Sequence, residues 1–247
     1  MNKVTICLSI DDARENMLSL VYKELLPKKI PATINVVTGF IDGTAENRGY
    51  PCISKEQLIE IFSTNLFEIA NHGDSHKNTI EDIKKGREKI ISWLNLPKDT
   101  KLGFASPGSN LKIKDAIKMQ KELQDTGVLY VRTYDNSILT DENEKDSHAF
   151  LSNYSFAFSS VVVYKGVTPY KRLVELTEYA IKNNLTLILM LHNFAVKGEE
   201  IFDGDWTYDL EEFAKYLKYL NRKREEEKID ILTVKDAIKK LKNKQKN

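Results

Sequence analysis

The chain has 247 residues, 41% of them hydrophobic, with 37 Lys and Arg against 36 Asp and Glu and a net charge of +1. That is apolar matter enough for one α/β domain of barrel size or two smaller ones, and the balanced charge gives no reason to expect nucleic acid or an anionic membrane as partner. Cys7 and Cys52 are too few for a disulfide framework, and no run reaches the about 18 apolar residues that span a membrane.

In chain order, residues 3–10 read as a first strand that ends on Asp11 and Asp12. A helix over 14–26 follows, with Met17, Leu18, Val21 and Leu25 on one face, stopped by Pro27 and Pro31. Residues 32–37 form a second strand and 39–51 a loop rich in Gly and polar residues. Ser54 caps the next helix and Gln57 completes a capping box, turning Leu58, Ile61 and Phe62 inward. The third strand, 66–70, leads into Asn71-His72-Gly73-Asp74-Ser75-His76-Lys77-Asn78. A helix over 78–95 carries Ile80, Ile83, Ile90, Ile91 and Leu94 as its core stripe. A fourth strand, 101–105, ends in Ser106-Pro107-Gly108. A helix over 112–125 is stopped by Gly127.

The fifth strand is 128–133, and the acidic stretch 135–154 reads as a functional or mobile loop. A sixth strand, 156–164, contains Val161-Val162-Val163. Pro169 opens a helix to 183, and a seventh strand, 186–191, ends at His192. A helix over 208–227, a strand over 229–232 and a helix over 234–244 close the chain, its Lys-rich end a solvated helix face. Strand alternating with helix predicts a parallel sheet closed into a barrel. Asp11, Asp12, His72, His76 and His192 all fall at C-terminal strand ends or just past them, the face on which barrels of this kind build their sites.

Two of the four histidines lie in the stretch after the third strand. With this spacing they share one face of a helical turn and can share a metal; the competing assignment is one capping and one surface histidine. Two adjacent carboxylates at the end of a buried strand are costly unless something pairs them. One of Asp11 and Asp12 could cap the helix near Ala13, but both cannot fill one cap position.

These motifs resemble those of the polysaccharide deacetylases, the NodB homology domain or carbohydrate esterase family four. Ser9-Ile10-Asp11-Asp12 is similar to the family's Thr-Phe-Asp-Asp. Glu68-Ile69-Ala70-Asn71-His72-Gly73-Asp74-Ser75-His76 is similar to its Glu-Ile-Gly-Asn-His-Thr-x-Ser-His. Leu189-Met190-Leu191-His192-Asn193 resembles its closing Leu-x-His strand, and Ile231-Leu232-Thr233-Val234 its last strand and turn. The resemblance implies one catalytic domain over 1–247, folded as a distorted (β/α) barrel of about seven parallel strands. It implies a divalent metal on Asp12, His72 and His76, most naturally zinc, with cobalt, nickel or iron as substitutes. Asp11 becomes the general base, His192 the general acid, and an acetylated carbohydrate the substrate.

One motif departs. Where the family typically has Arg-Pro-Pro-Tyr, with the Arg orienting the base, this chain has Phe104-Ala105-Ser106-Pro107-Gly108. Arg132 can supply the charge from the fifth strand, its alternative being a surface ion pair; backbone groups near Ser106 are the other candidates for orienting Asp11. Trp206, beside Asp205, either lines the pocket or staples the helix that follows, and His148 is assigned to solvent. Without a secretory leader the chain as it stands is expected in the cytoplasm, or outside the cell if it is a trimmed mature form. Two other functions compete: an inactive relative that binds sugar or a partner protein, and a hydrolase of another small amide C–N bond.

Overall fold

The computed structural model describes residues 3–47, 49–134, 150–164, 166–196 and 206–246. The first half of the chain runs β1 (Val4–Ile10), α1 (Met17–Leu20) continued by a π-turn (Val21–Leu25), β2 (Ala32–Val36), α2 (Thr38–Ile41), α3 (Lys55–Ser63), β3 (Phe67–Asn71), α4 (Ile80–Trp93), β4 (Leu102–Ala105), α5 (Ile113–Lys118), α6 (Gln120–Asp125) and β5 (Val128–Arg132). The second half adds β6 (Phe150–Leu151), β7 (Ala157–Phe158), β8 (Val161–Val162), α7 (Tyr170–Asn183), β9 (Thr186–Leu191), β10 (Asn193–Ala195), β11 (Thr207–Asp209), α8 (Leu210–Glu225), β12 (Ile229–Ile231) and α9 (Val234–Lys246).

The main sheet runs β6-β9-β1-β2-β3-β4-β5-β7, with β12 also on β1 and β8 also on β9. Its pairs are parallel except β6 on β9. β7 pairs with β5 and β8 with β9, so the buried Ser159 and Ser160 between them carry the chain from one edge to the other. This nearly closes the sheet into the distorted (β/α) barrel that the strand–helix alternation predicts.

β1 is buried along its whole length, as a strand covered on both faces must be. Ile6, Leu8 and Ile10 pack in one apolar cluster with residues of α1, α3, α7 and α8. Cys7 joins Tyr130, Phe158 and Ile188 in a second. Gly103 on β4 makes room for this second cluster, because a Cβ there would lie 2.1 Å from the Tyr130 ring. Cys7 and Cys52 are both free thiols. No helix among the described residues is long and apolar enough to cross a membrane.

Local chemistry sets most boundaries. Ser54 and Gln57 form the expected capping box on α3, and Asp209 accepts from the Glu212 amide to start α8. The first helix starts later than its apolar pattern suggests. Asp12 and Ala13 both adopt left-handed backbone (φ 68° and 51°), and Arg14 forms an isolated antiparallel bridge with Cys52. Neither aspartate caps the helix: the residue before α1 is Asn16, which makes no capping bond. The helix expected over 112–125 is broken at Met119 (φ −89°, ψ 9°) into α5 and α6. The loop after β2 opens with α2. His148 and most of the acidic 135–154 segment lie outside the described residues.

Candidate metal centre

Asp11, Asp12, His72, His192 and Arg132 meet at the C-terminal mouth of the barrel. The Asp11 amide donates to the Leu191 carbonyl (2.8 Å), which sets the end of β1 beside His192. His72 follows β3 directly, and its amide donates to the Val36 carbonyl (2.9 Å). The two histidines are not on a helical turn, contrary to the expectation from their spacing. Gly73 (φ 83°) and His76 (φ 58°) bend the chain instead. A Cβ on Gly73 would meet the Asp82 carboxylate at 2.4 Å. The loop returns the two rings to an edge-on contact, with centroids 4.9 Å apart.

The loop is held by one carboxylate from outside it, Asp82, and by its own Asp74 and Asn71. Asp82, in the first turn of α4, accepts from the amides of Ser75 (2.9 Å) and Lys77 (3.0 Å), on either side of His76. Asp74 accepts from Thr38 (2.7 Å) and pairs with Lys89 (2.7 Å) and Lys85 (2.5 Å). Asn71 reaches the Ile83 carbonyl (2.7 Å) and accepts from the Gly73 amide (2.9 Å).

Within this frame the Asp12 Oδ1 atom lies 3.5 Å from His72 Nε2 and 3.5 Å from His76 Nε2. That oxygen is buried and has no hydrogen-bond partner. His72 Nδ1 lies 2.7 Å from the Ala105 carbonyl. A carbonyl can only accept, so Nδ1 carries the proton and the neutral ring turns its Nε2 lone pair towards Asp12. Burial pushes the His72 pKa down despite Asp11 and Asp12 beside it. Burial and the neighbouring His72 take His76 to about 4. Burial works against ionising Asp12, but His192, His72 and Arg14 outweigh it and hold the carboxyl at about 2.

The result is one carboxylate and two neutral imidazoles whose ligand atoms all lie within 4.8 Å of one another. Two ligands about 2.1 Å from a tetrahedral ion stand about 3.4 Å apart, close to the separations found here. The residues present fit a divalent cation.

Asp11 sits beside this trio. Its Oδ1 accepts from Arg132 Nη2 and from Asn35 Nδ2, the latter at 2.7 Å. Its Oδ2 lies 3.9 Å from His72 Nε2 and 3.8 Å from His192 Nε2. Burial opposes its ionisation, yet the Arg132 guanidinium, with His72 and His192, holds the carboxyl below its ordinary value. Arg132 therefore does not make a surface ion pair: it is 1% exposed and points into the barrel. The contact uses one nitrogen rather than a fork, and Nε and Nη1 have no partner among the described residues.

Ser106 does not touch Asp11. Its hydroxyl donates to Asn78 Oδ1 (2.8 Å) and accepts from the Leu111 amide (3.0 Å), shaping the loop after β4. Trp206 lies against His192, with ring centroids 4.8 Å apart, and against Tyr164 at 5.2 Å. It lines the cavity rather than stapling a helix.

That cavity, of ≈ 360 Å³, opens over Asp11, Asp12, His72, His76 and His192, with Phe40 and Tyr50 on one side and Tyr134 and Trp206 on the other. Arg14, Asn35, Phe40, Tyr50 and Tyr134 escaped the sequence reading. Of these only Asn35 carries a signal, being an amide side chain in a wholly buried strand.

Solved structures similar to this one are deacetylases or their relatives. "T48 deacetylase with substrate" is 14% identical over 95% of this chain and 90% of that one, with a TM-score of 0.52. A mutant of BA3943, a CE4 family pseudoenzyme with restored enzymatic activity, is 14% identical over 96% of this chain and 68% of that one, with a TM-score of 0.51. The match to the BpsB deacetylase domain from Bordetella bronchiseptica is partial: 15% identity over 52% of this chain and 63% of that one, TM-score 0.41, so it spans less than two thirds of that domain. No protein-family model and no curated protein matches the chain by sequence. The likeness is one of fold, shared with a deacetylase and with a CE4 family pseudoenzyme.

Proposed function

We propose that residues 1–247 act as one polysaccharide-deacetylase-like catalytic domain, a divergent member of that family, which hydrolyses N-acetyl or O-acetyl groups of a carbohydrate with a divalent cation on Asp12, His72 and His76. The observation that carries this is the buried, unpartnered Asp12 Oδ1, equidistant from two imidazole nitrogens, with Asp11 Oδ2 between His72 and His192. Two imidazoles and a carboxylate suit zinc best, with cobalt, nickel or iron as substitutes.

When bound, such an ion supplies Lewis acidity, which polarises an acyl oxygen and acidifies a water. The rest falls to the chain's own side chains. Asp11 Oδ2 is the free oxygen of a carboxylate kept charged by Arg132, and it accepts the proton of the water that attacks the acetyl carbon. Arg132 and Asn35 fix Oδ1 and so aim Oδ2. His192 gives its Nε2 proton to the departing nitrogen or oxygen, without which an amine is a poor leaving group. The Trp206 face holds the His192 ring and keeps water off one side of it. The aromatic walls of the cavity offer flat apolar faces to a sugar ring.

The test has two arms. Acetate release from N-acetylglucosamine oligomers is compared with hydrolysis of a panel of small amides; turnover confined to the amides would overturn the carbohydrate assignment. Elemental analysis of the wild-type chain and of His72→Ala and His76→Ala is expected to show metal only in the first. Equal metal content in all three would remove the ligand assignment.

A further inference from the structure

Asp12 is engaged on one side only. Its Oδ1 is the unpartnered atom facing the two imidazoles, while its Oδ2 accepts from Arg14 Nη2 at 3.2 Å. Both side chains are 12% exposed. Arg–carboxylate pairs that serve only to bind each other commonly engage both oxygens through the guanidinium fork; here the second nitrogen points elsewhere. Arg14 Nη1 donates to the Asn47 carbonyl at 3.4 Å. The guanidinium lies 4.7 Å from the Tyr50 ring centre and 5.5 Å from that of Phe40, a stacking that fixes its plane. Phe40 in turn packs on His76, with centroids 5.9 Å apart.

The backbone is built to bring this about. Consecutive left-handed residues at Asp12 and Ala13 turn the chain back on itself directly after β1. The bridge from Arg14 to Cys52, with the bond from the Glu15 amide to the Pro51 carbonyl (3.0 Å), locks the turn.

We propose that Arg14 is a positioning residue: it ties down one oxygen of Asp12 so that the carboxylate presents only the other to a cation. A carboxylate free to rotate could offer both oxygens to the ion and fill a position that water or substrate needs. Held by Arg14, it leaves the site open, as catalytic centres require. Partners of ligand side chains have a known worth, about 10- to 100-fold in metal affinity or activity. Arg14 also places a positive charge near the cation, which alone would weaken binding. The sign of the affinity change therefore distinguishes orientation from repulsion.

The proposal rests on Asp12, His72 and His76 being cation ligands, and its test needs no turnover. Cobalt(II) is titrated into the metal-free protein and followed by its visible absorption. Arg14→Met keeps the stem between the two rings and removes the fork; it is expected to lose about 10- to 100-fold in cobalt affinity. Arg14→Lys keeps the charge but cannot reach Asp12 and the Asn47 carbonyl together, so it loses several-fold and remains measurable if the Met variant fails to fold. In an Asp12→Asn background, Arg14→Met is expected to add no further loss.

An affinity that is unchanged or increased in Arg14→Met, a wild-type affinity in Arg14→Lys, or a full loss persisting in the Asp12→Asn background would each overturn the proposal. Absence of cobalt binding by the wild-type chain would overturn the ligand assignment as well. Wild-type binding with an indifferent Arg14 would overturn this inference alone.

Discussion

Two acidic groups of the barrel, the buried Asp11 and the half-buried Glu68, stand in different company. At its C-terminal mouth Asp11 is paired with the Arg132 guanidinium and bonded to Asn35. Near the opposite end Glu68, on β3, has no ion pair among the described residues. It accepts from the Tyr130 hydroxyl (2.9 Å), the Thr33 hydroxyl (2.7 Å) and the Lys235 amide at the start of α9 (2.8 Å). Burial acts on both against ionisation. At Asp11 the cation wins and the carboxyl is held low; at Glu68 burial wins over its donors and the carboxyl is pushed up. Hydrogen bonds suffice to seat a carboxyl group, whereas keeping a buried one charged and ready to take a proton calls for a full opposite charge beside it.

The largest expected effect follows from breaking the mouth pair. Removing one partner of a buried ion pair leaves an uncompensated charge, at a cost of about 3–5 kcal/mol. Arg132→Met should lose that much in urea unfolding of the metal-free protein, and the double variant with Asp11→Asn should recover most of it. This is a larger role than a strand-end arginine suggests, because the side chain lies inside the barrel. A loss below about 1 kcal/mol, the size expected of an exposed pair, would mean that solvent reaches the pair after all.

Smaller in stability, and read mainly in turnover, is the effect of Asp11→Asn alone. The amide keeps the shape and can still accept from Arg132 through its oxygen, which offsets part of the cost of leaving that buried guanidinium without its counter-charge; the fold is weakened but ion uptake should survive. As a base it is lost, and the rate should fall by about a hundredfold or more. Loss of the ion in this variant would instead make Asp11 a ligand, with the roles of the two aspartates exchanged or shared.

The sequence showed the mouth better than the foundation. The cluster at the mouth was legible because β1 and β9 are largely apolar runs buried along their whole length and β3 is nearly so, and such a run that stops on Asp11, His72 or His192 has delivered a polar group to a strand end. The fold was legible for the same reason, through strand–helix alternation. What stayed hidden lacks any local signal. Ala13 in left-handed backbone looks like a helix former, so the turn that brings Arg14 onto Asp12 reads as the start of a helix. Met119 breaks a helix without Gly or Pro. Arg132 could be suspected only because an arginine was missing elsewhere. Glu68 sits in the same motif as His72 but serves α9, which no spacing can tell. Gly103 matters only because Tyr130 crosses over it.

The smallest expected effect sharpens the lower end of the barrel and is read as a slope in pH. With its folded pKa above the ordinary 4.5, Glu68 keeps a proton in the folded state at pH values where the unfolded chain has released it. The unfolded state then binds fewer protons, so this group's contribution to stability is complete below 4.5, falls as pH rises through the folded pKa, and stays lost above it. Glu68→Gln has nothing to titrate. Its amide nitrogen must replace either Oε1, which accepts from Tyr130, or Oε2, which accepts from both Thr33 and Lys235, so at acid pH the variant should be less stable by at most about 1 kcal/mol, the worth of one hydrogen bond. Raising the pH from about 5 to about 8 should then erode the wild-type advantage, and the two unfolding curves should converge. The rival expectation is that the carboxylate, lying at the amino end of α9, is stabilised as an anion by the helix dipole. In that case the wild-type advantage grows with pH instead. Measuring the stability difference between the two proteins cancels every other titrating group, so the sign of its slope decides whether burial or the helix end governs Glu68.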